Sequence, residues 1–365
     1  MNDTPPRAMQ SPWWRPDQVA ARLPRLRARA AIAGVVRDFF AARDFVEVET
    51  PALQISPGLE PSLSAFATEM RAPFGDGPGV PLYLHTSPEF AMKKLLAGGV
   101  PLLFQMARVF RNEERSNTHH PEFTMLEWYR AGAGWRDVAA DCETLLAAAL
   151  DAAPAELRGG AAGFTRAGRD CDPRATWRYI SVADAFREYC GIDLHATAPD
   201  PDRPSPDLLA AEARRIGVRT GEGDGWDDIF FRLMLAHIEP HLGIGAPCVL
   251  YDWPVSMAAL ARRSEADPRV CDRFELFVCG LELANAFGEL TDAAEQRRRF
   301  EADIARRRTL RGAAYPIDED FLAALEHGLP DCAGIALGFD RLVMLATGAA
   351  AIDDVLWAPV AGAAG

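Results

Sequence analysis

The order of apolar and polar residues along the chain predicts alternating helices and strands. Between residues 26 and 43, apolar side chains recur every three or four positions, which predicts a helix with one buried face. The next residues, 45–51, read FVEVETP, in which valine alternates with glutamate as in a strand that ends at the proline. Residues 82–99 predict a strand, a turn and a helix, because Ser87 and Pro88 are typical of a helix start and a glycine pair ends the segment.

Strands dominate the pattern further along the chain. The segments LLFQMARVF and FTMLEWYRA predict a hairpin whose two strands are joined by a long charged loop. Residues 273–292 predict a strand, a glycine turn and a second strand, and residues 295–312 predict a highly charged helix. The segment AGIALGFDRLVMLATG, residues 333–348, predicts a strand followed by a helix that starts near Asp340.

This pattern favours a single domain. Neither an internal repeat nor a long linker interrupts it, so we expect one domain over residues 26–365 after an N-terminal extension over residues 1–25. Residues 152–174 are small, Gly-rich and charged, which predicts a surface insertion at about residues 152–178. The patterns therefore predict an α+β domain with one exposed insertion.

Composition and charge limit the classes of protein that remain. The chain has 365 residues, of which 49% are hydrophobic, so it can bury a sizeable core. Its formal net charge of −13 argues against a general nucleic-acid binder, which must neutralise phosphates. The seven cysteines form no CxxC pair, and no apolar run reaches the length of about 18 residues that a membrane helix needs. We expect reduced thiols and a cytoplasmic protein.

Several charged residues have candidate chemical roles. Arg341 falls in the first turn of a predicted helix, where free N–H groups already attract anions, so it is a candidate phosphate ligand. Taken alone, it could equally form a structural ion pair. Glu275, Glu282 and Glu289 recur at seven-residue spacing with Asn285 between the last two, and buried carboxylates repel one another unless a cation joins them. Mg²⁺ with ATP would provide that cation, whereas a solvated sheet edge is the alternative.

The charged hairpin contains a second group of candidates. Arg111 and Glu113 are two residues apart on the predicted strand, so we expect both on one face, where they could bind a phosphate and an amino group. His119 lies in the loop, within reach of a distal phosphate, and Phe123 offers a ring on which a base could stack. Glu127 and Tyr129, again two apart, form a polar pair on the returning strand. Each of these residues taken singly could join a cross-strand ion pair. Taken together, they predict a ligand-binding site.

These segments resemble the motifs of a known family. FVEVETP resembles motif 1, VFRNEERSNTHHPEFTMLEWY resembles motif 2 and GIALGFDRL resembles motif 3 of the class II aminoacyl-tRNA synthetases. ELANAFGELTD and HPEFTMLEWY are similar to the lysine-specific branch, and the resemblance spans roughly residues 26–348. It implies an antiparallel sheet flanked by helices, in a homodimer formed through the motif 1 helix and strand.

Within that branch, the chain resembles the standalone members. Lysyl-tRNA synthetases carry an OB-fold anticodon-binding domain before motif 1, whereas only residues 1–25 precede it here, so neither that domain nor tRNA is expected. The standalone members attach (R)-β-lysine to a lysine of translation elongation factor P. TSPE at residues 86–89 and Ala336 fit their pattern. The alternatives are a truncated ligase that charges tRNA or another carrier, and a non-catalytic regulatory paralogue.

The resemblance implies ATP and Mg²⁺ as cofactors, and it assigns residues to them. Arg111 would bind the α-phosphate and stabilise the transition state, while His119 and Arg341 would hold the γ-phosphate. Glu113 would accept from the adenine amino group, and Phe123 would stack on the base. The two catalytic residues implied are Arg111 and Arg341, and the implied metal ligands are Glu275 and Glu282.

The resemblance also implies a site for an amino acid with two amino groups. The implied contacts are Ser87 and Glu89 for the amino group near the carboxylate, Asn285 for the carboxylate, and Glu127, Tyr129 and Glu289 for the distal ammonium. Ala336 replaces a glycine that lysyl-tRNA synthetases usually have. Its methyl group is expected to disfavour α-lysine relative to a β-amino acid by about 1 to 3 kcal/mol, which tunes a preference rather than enforcing it.

Overall fold

An eight-stranded mixed sheet forms the centre of the protein in the computed structural model, which describes residues 12–73 and 77–360. Its strands, in spatial order, are β1 (Val46–Glu47), β5 (Leu102–Phe110), β6 (Glu122–Ala131), β13 (Cys332–Gly338), β12 (Leu281–Gly288), β11 (Val270–Val278), β10 (Cys248–Pro254) and β9 (Arg178–Ser181). The inner strands pair antiparallel, whereas β1 pairs parallel with β5 and β9 pairs parallel with β10. The predicted α+β class is confirmed, with parallel pairing at both edges.

Two smaller sheets and a shell of helices complete the fold. One small sheet contains β2 (Leu53–Gln54), β4 (Val80–Leu84) and β3 (Ala67–Met70), and the other pairs β7 (Phe164–Arg166) with β8 (Arg169–Cys171). The helices are α1 (Pro16–Ala41), α2 (Glu89–Ala97), α3 (Trp135–Asp151), α4 (Val182–Cys190), α5 (Pro206–Arg215), α6 (Trp226–Leu233), α7 (Ala293–Arg311), α8 (Glu319–Gly328) and α9 (Phe339–Thr347). None of these helices is long and apolar enough to cross a membrane.

The two faces of the central sheet carry different kinds of residue. Leu126, Trp128 and Leu337 are buried on one face, in the core that α1, α3 and α9 cover. Successive side chains of a strand point to opposite faces, so Glu127 and Tyr129 project from the other face, away from that core. The alternation of apolar and polar residues therefore separates a structural face from a face that is free to form a site.

Helix α1 is anchored to the sheet by a buried charge pair. Arg29 donates to the carboxylate of Asp340 at the start of α9, and also to the Thr124 hydroxyl on β6 at 2.9 Å. The Thr124 amide donates to the same carboxylate at 2.6 Å. The helix that precedes the motif 1 segment is therefore joined at one buried point to the segments that resemble motif 2 and motif 3.

Two predictions about the domain boundaries need correction. Helix α1 begins at Pro16, ten residues before its predicted start, because proline suits the first helical turn and the helix continues through Pro24. Part of the predicted extension is therefore helical, and residues 1–11 lie outside the described residues.

Most residues of the predicted surface insertion, 152–178, are exposed or half-buried, but the segment is docked on the core. Phe164, Cys171 and Trp177 are buried, and the β7–β8 hairpin packs against α9. Three well-placed apolar side chains dock the segment, although its average composition is small and polar. The seven cysteines are all buried free thiols, as predicted.

Candidate active site

A cavity of about 410 Å³ lies over the polar face of the central sheet. It brings together residues from both predicted groups of candidates, although they are far apart in the sequence. The predicted site residues that line it are Ser87, Glu89, Arg111, His119, Phe123, Glu282, Asn285, Ala336 and Arg341. Thus the helix start after β4, the hairpin of β5 and β6, and the strands β12 and β13 all contribute to one site.

Four predicted residues form a row across neighbouring strands. Glu127 on β6 is opposite Ala336 on β13, which is opposite Asn285 on β12, which in turn is opposite Glu275 on β11. Directly opposed residues of antiparallel strands project on the same face. With a strand spacing of about 4.8 Å, the row extends about 14 Å from one carboxylate to the other. Ala336 and Asn285 thus occupy the middle of the site.

A buried lysine lies at the Glu127 end of this row. The ammonium of Lys93 lies 2.5 Å from a carboxylate oxygen of Glu89 and 2.5 Å from one of Glu289. Both Lys93 and Glu289 are 1% exposed. Lys93 was not among the predicted site residues. It follows Glu89 by four residues on one helix, which is also the usual spacing of a surface ion pair.

The third carboxylate of this cluster belongs to Glu127. Its two oxygens accept hydrogen bonds from the Ser87 hydroxyl at 2.6 Å and from the Tyr129 hydroxyl at 3.0 Å. Burial and the nearby charge of Glu89 raise the pKa of Glu127 to about 8. Burial also raises the pKa of Glu289 to about 8, even though Lys93 opposes that shift.

The cluster has more acidic than basic groups. Three carboxylates, those of Glu89, Glu127 and Glu289, surround the single ammonium of Lys93. Burial makes uncompensated charge costly, which is why two of the carboxyl groups hold their protons more tightly. A ligand with positive charge would remove that cost.

Gly334 makes the close packing of this cluster possible. It lies opposite Tyr129 on the neighbouring strand. A Cβ atom at Gly334 would lie 2.2 Å from a ring carbon of Tyr129 and 2.7 Å from a carboxylate oxygen of Glu289, far inside van der Waals contact. The glycine therefore leaves the space that these two side chains occupy.

Arg341 and His119 contact each other at the other end of the cavity. The Arg341 guanidinium, in the first turn of α9, donates to His119 Nε2 at 2.7 Å and to the backbone carbonyls of Glu282 at 2.7 Å and Thr118 at 3.3 Å. A guanidinium can only donate, so Nε2 of His119 accepts and its proton lies on Nδ1. The structure thus brings together the two residues predicted for the γ-phosphate.

Arg111 lies between the two ends of the cavity. Its guanidinium is 5.3 Å from the centre of the Phe123 ring, and its Nε has no hydrogen-bond partner among the described residues although it is buried. The nearest carboxylate oxygen, on Glu114, is 4.0 Å away. Arg111 therefore retains hydrogen-bonding capacity toward the cavity.

The placement of Glu113 on a strand beside Arg111 is wrong. Strand β5 ends at Phe110, and Glu113 lies in the following turn with a φ of 68°. Its carboxylate is exposed and binds Arg311 at 3.0 Å. Glu114, which was not predicted, lines the cavity instead. The alternation of a strand cannot be continued past the point where its hydrogen bonds end.

The predicted metal ligands lie near each other at the Glu275 end of the row. Burial and the charge of Glu282 raise the pKa of Glu275 to about 8, and Arg273 donates to it at 2.8 Å. The Asn285 Oδ1, next in the row, is buried without a partner among the described residues. Two carboxylates and an amide oxygen are donors that suit Mg²⁺.

Glu239 is a further carboxylate that the sequence did not indicate. Burial and the charge of Glu282 raise the pKa of Glu239 to about 7. Nevertheless, the described part of the chain contains no cluster of three or more His, Cys, Asp or Glu side chains that could hold a metal ion by themselves. A metal at this end would therefore need ligands from a substrate as well.

Comparison with known proteins agrees with the motifs. A family model of tRNA synthetases class II (D, K and N) matches residues 18–361. The chain is 41% identical over 343 residues to the elongation factor P–(R)-β-lysine ligase of Sodalis glossinidius (strain morsitans), which covers 94% of this chain and 96% of the relative. The ligase of the same name from Haemophilus influenzae (strain PittGG) is 40% identical over 344 residues, with the same coverage. The chain therefore belongs to the class II tRNA synthetase family (D, K and N).

Proposed function

We propose that this protein activates (R)-β-lysine, or lysine, with ATP and transfers it to the ε-amino group of a lysine on translation elongation factor P. The observation that carries the amino acid part is the buried cluster of Glu89, Glu127 and Glu289 around Lys93. Lys93 provides one cation for three carboxyl groups. An amino acid with two ammonium groups would provide the other two. The names of the similar ligases support the acceptor.

The row across the sheet orients such a substrate. Its ammonium groups would face the acidic cluster, and its carboxylate would accept from the amide N–H groups of Asn285 and from Arg111, whose buried Nε has no partner among the described residues. Ala336 lies between Glu127 and Asn285, beside the chain of the substrate. The amino acid carboxylate would thereby be held at the middle of the site, next to the phosphate end.

ATP would occupy the end of the cavity that contains Phe123, His119 and Arg341. Arg111 would neutralise the α-phosphate as the substrate carboxylate attacks it, and His119 and Arg341 would hold the departing pyrophosphate. Mg²⁺, held by Glu275 and Glu282 with the phosphates, would supply charge neutralisation at the same step. Glu113 is not adjacent to the cavity, so its predicted contact with adenine remains a prediction.

The second step forms an amide. The neutral ε-amine of the acceptor attacks the carbonyl carbon of the adenylate, the bond to the phosphate breaks and AMP leaves. A lysine amine has an ordinary pKa of about 10.4, so it must lose a proton before it attacks. The step therefore requires a group that accepts this proton.

We also propose that the protein is a cytoplasmic homodimer. Val46, Leu53 and Ile55 are exposed apolar residues; the first lies in the segment that resembles motif 1, and the other two lie directly after it. Contact between two such segments would bury them. Light scattering tests this proposal, with Val46→Asp expected to shift the mass toward the monomer.

The alternative is an enzyme that charges tRNA, which the family model favours because it describes tRNA synthetases. One experiment distinguishes the acceptors. The protein is given ATP, Mg²⁺ and (R)-β-lysine, followed by either elongation factor P or tRNA, and the mass of the acceptor is measured. We expect a mass increase of one β-lysyl group on the factor. Transfer to tRNA in preference to the factor would contradict the proposal.

A further inference from the structure

A second, smaller cavity of about 30 Å³ adjoins the first one. The two cavities share Glu60, Ser87 and Glu89 in their linings. Asp303 of α7 lines the small cavity but not the first. The volume of the small cavity suits a group the size of a water molecule or an ammonium head.

The loop before β3 directs the Glu60 carboxylate into this region. Gly58 has a φ of +122°, which favours glycine, and a Cβ there would be 2.8 Å from Thr86 Oγ1 and 3.2 Å from Glu60 Oε2. The absence of a side chain at Gly58 therefore lets the loop fold close against Thr86 with the carboxylate above it. Gly58 thus explains why the loop can adopt this shape.

Two observations indicate that the small cavity suits a cationic hydrogen-bond donor. Among the described residues, no lysine or arginine lies within 4.0 Å of the carboxylates of Glu60 or Asp303. The hydroxyl of Ser56, which is 2% exposed and lines the same cavity, has no hydrogen-bond partner there either. Two carboxylates without a basic partner and a free hydroxyl are the groups that would surround an ammonium.

We propose that Glu60 binds the amine of the acceptor lysine and takes its proton. The inference rests on the proposed function, because the proposed position of the substrate carboxylate is beside Arg111, which lines the larger cavity together with Glu60. An amine that attacks this activated carbonyl from the small cavity passes Glu60, whose carboxylate borders both cavities. Asp303 is proposed as a positioning residue that holds the incoming ammonium.

The proton balance of the step is complete with Glu60 as the base. The acceptor arrives as an ammonium and gives one proton to the Glu60 carboxylate. Its nitrogen lone pair then forms the C–N bond while the C–O bond to AMP breaks and the electron pair stays on the phosphate. The second proton of the nitrogen passes to solvent, so the products are the amide, AMP and the protonated carboxyl group, which later loses its proton to water.

The surroundings of Glu60 suit a base that works near neutral pH. Burial and the charge of Glu89 raise its pKa above the ordinary value, whereas Arg111 and Arg273 oppose that rise. Asp303, whose own pKa is raised to about 7 by burial and by Glu60, faces the same cavity from α7. A raised pKa makes the carboxylate a stronger base, so transfer should increase with pH as Glu60 ionises.

The test separates transfer from activation. Preformed enzyme-bound adenylate is mixed with elongation factor P, and the single-turnover transfer rate is measured across pH for wild type and Glu60→Gln. We expect Glu60→Gln to lower transfer by roughly 100-fold or more, with ATP–pyrophosphate exchange kept. Its remaining transfer should keep rising with pH toward the amine pKa of about 10.4, whereas transfer by the wild type should level off once Glu60 is ionised. Asp303→Asn should weaken binding of the acceptor. Glu265→Gln, an exposed glutamate outside both cavities, is the matched control.

Hydroxylamine provides the second readout. It is already neutral near pH 7 and needs no base, so Glu60→Gln should trap the adenylate as hydroxamate as fast as the wild type. Transfer at the wild-type rate, or equal losses of transfer, trapping and exchange, would overturn the role of Glu60. Absence of exchange in the wild type would instead refute the proposed function, so the two failures are distinguishable.

Discussion

Lys93 sets the charge of the proposed amino acid site at the scale of single residues. Without it, three carboxyl groups would share a buried space with no cation, and with it two of them still have no cation of their own. A monoammonium amino acid would leave one of these carboxyl groups without a cation, whereas a diammonium one provides a cation for each. Charge balance alone therefore favours a diammonium amino acid over a monoammonium one, whatever the shape of the site.

This balance predicts a proton release on binding. Because burial raises the pKa of Glu127 to about 8, its carboxyl group is largely protonated in the empty site at about pH 7. A substrate ammonium group favours the ionised carboxylate, so binding lowers this pKa and expels a proton. Affinity should therefore rise with pH from about 6.5 to 8.

Titration calorimetry of (R)-β-lysine in two buffers of different ionisation enthalpy measures this release. Glu127→Gln, which has no proton to release at that position, should reduce the number of protons. The same heat in both buffers would contradict the charge balance.

Ala336 gives a second prediction at this scale. Its methyl group lies in the row between Glu127 and Asn285, so Ala336→Gly enlarges the site next to the substrate chain. We expect the ratio of kcat/KM for α-lysine to that for (R)-β-lysine in pyrophosphate exchange to rise by about 10-fold.

Ala333→Gly is the matched control for Ala336→Gly, since Ala333 lies on the same strand but is buried in the core on the opposite face. It should leave the substrate ratio unchanged. An unchanged ratio for Ala336→Gly itself would refute the assigned role of that methyl group.

At the scale of elements, α1 and α9 are held on the sheet by the buried pair of Arg29 and Asp340. Arg29→Ala would leave the buried carboxylate of Asp340 without its cation. We expect a loss of about 3 to 5 kcal/mol in the free energy of unfolding. Denaturant titration measures this loss.

Arg37→Ala on the same helix is the control, because Arg37 pairs with Glu47 at an exposed position. Exposed pairs contribute about 0 to 1 kcal/mol. Equal losses in the two variants would mean that the Arg29 pair does not anchor α1.

The same scale explains which parts of the fold could be predicted from the sequence. The sequence patterns correctly predicted β6, β11, β12 and β13 as strands. The pairing of these strands in the structure then places Glu127, Asn285 and Ala336 on one face. Alternation does not show where a strand ends. Glu113 was misplaced because the strand before it was extended too far.

Long-range contacts were also beyond the sequence patterns. Lys93 has the spacing of a surface pair and Glu60 lies in a loop. Only the fold reveals that Lys93 contacts Glu89 at the cavity and that Glu60 lines it. Likewise, the burial of Phe164 depends on contact with α9, which local composition cannot indicate.

At the scale of the whole molecule, two adjoining cavities correspond to the two chemical steps. The larger one contains basic side chains for phosphates at one end and acidic side chains for ammonium groups at the other. The smaller one adjoins the acidic end and offers carboxylates to an incoming amine. This local separation of charge exists within a chain whose formal net charge is −13.

Amino-acid-dependent ATP–pyrophosphate exchange tests the central claim most directly. The exchange rate is measured with (R)-β-lysine, lysine and norleucine, which has the carbon chain of lysine but no distal ammonium. We predict exchange with the two diammonium amino acids, none with norleucine, and loss of exchange in Arg111→Ala. Exchange with norleucine at a rate similar to that with lysine, or none with any of the three, would contradict this account.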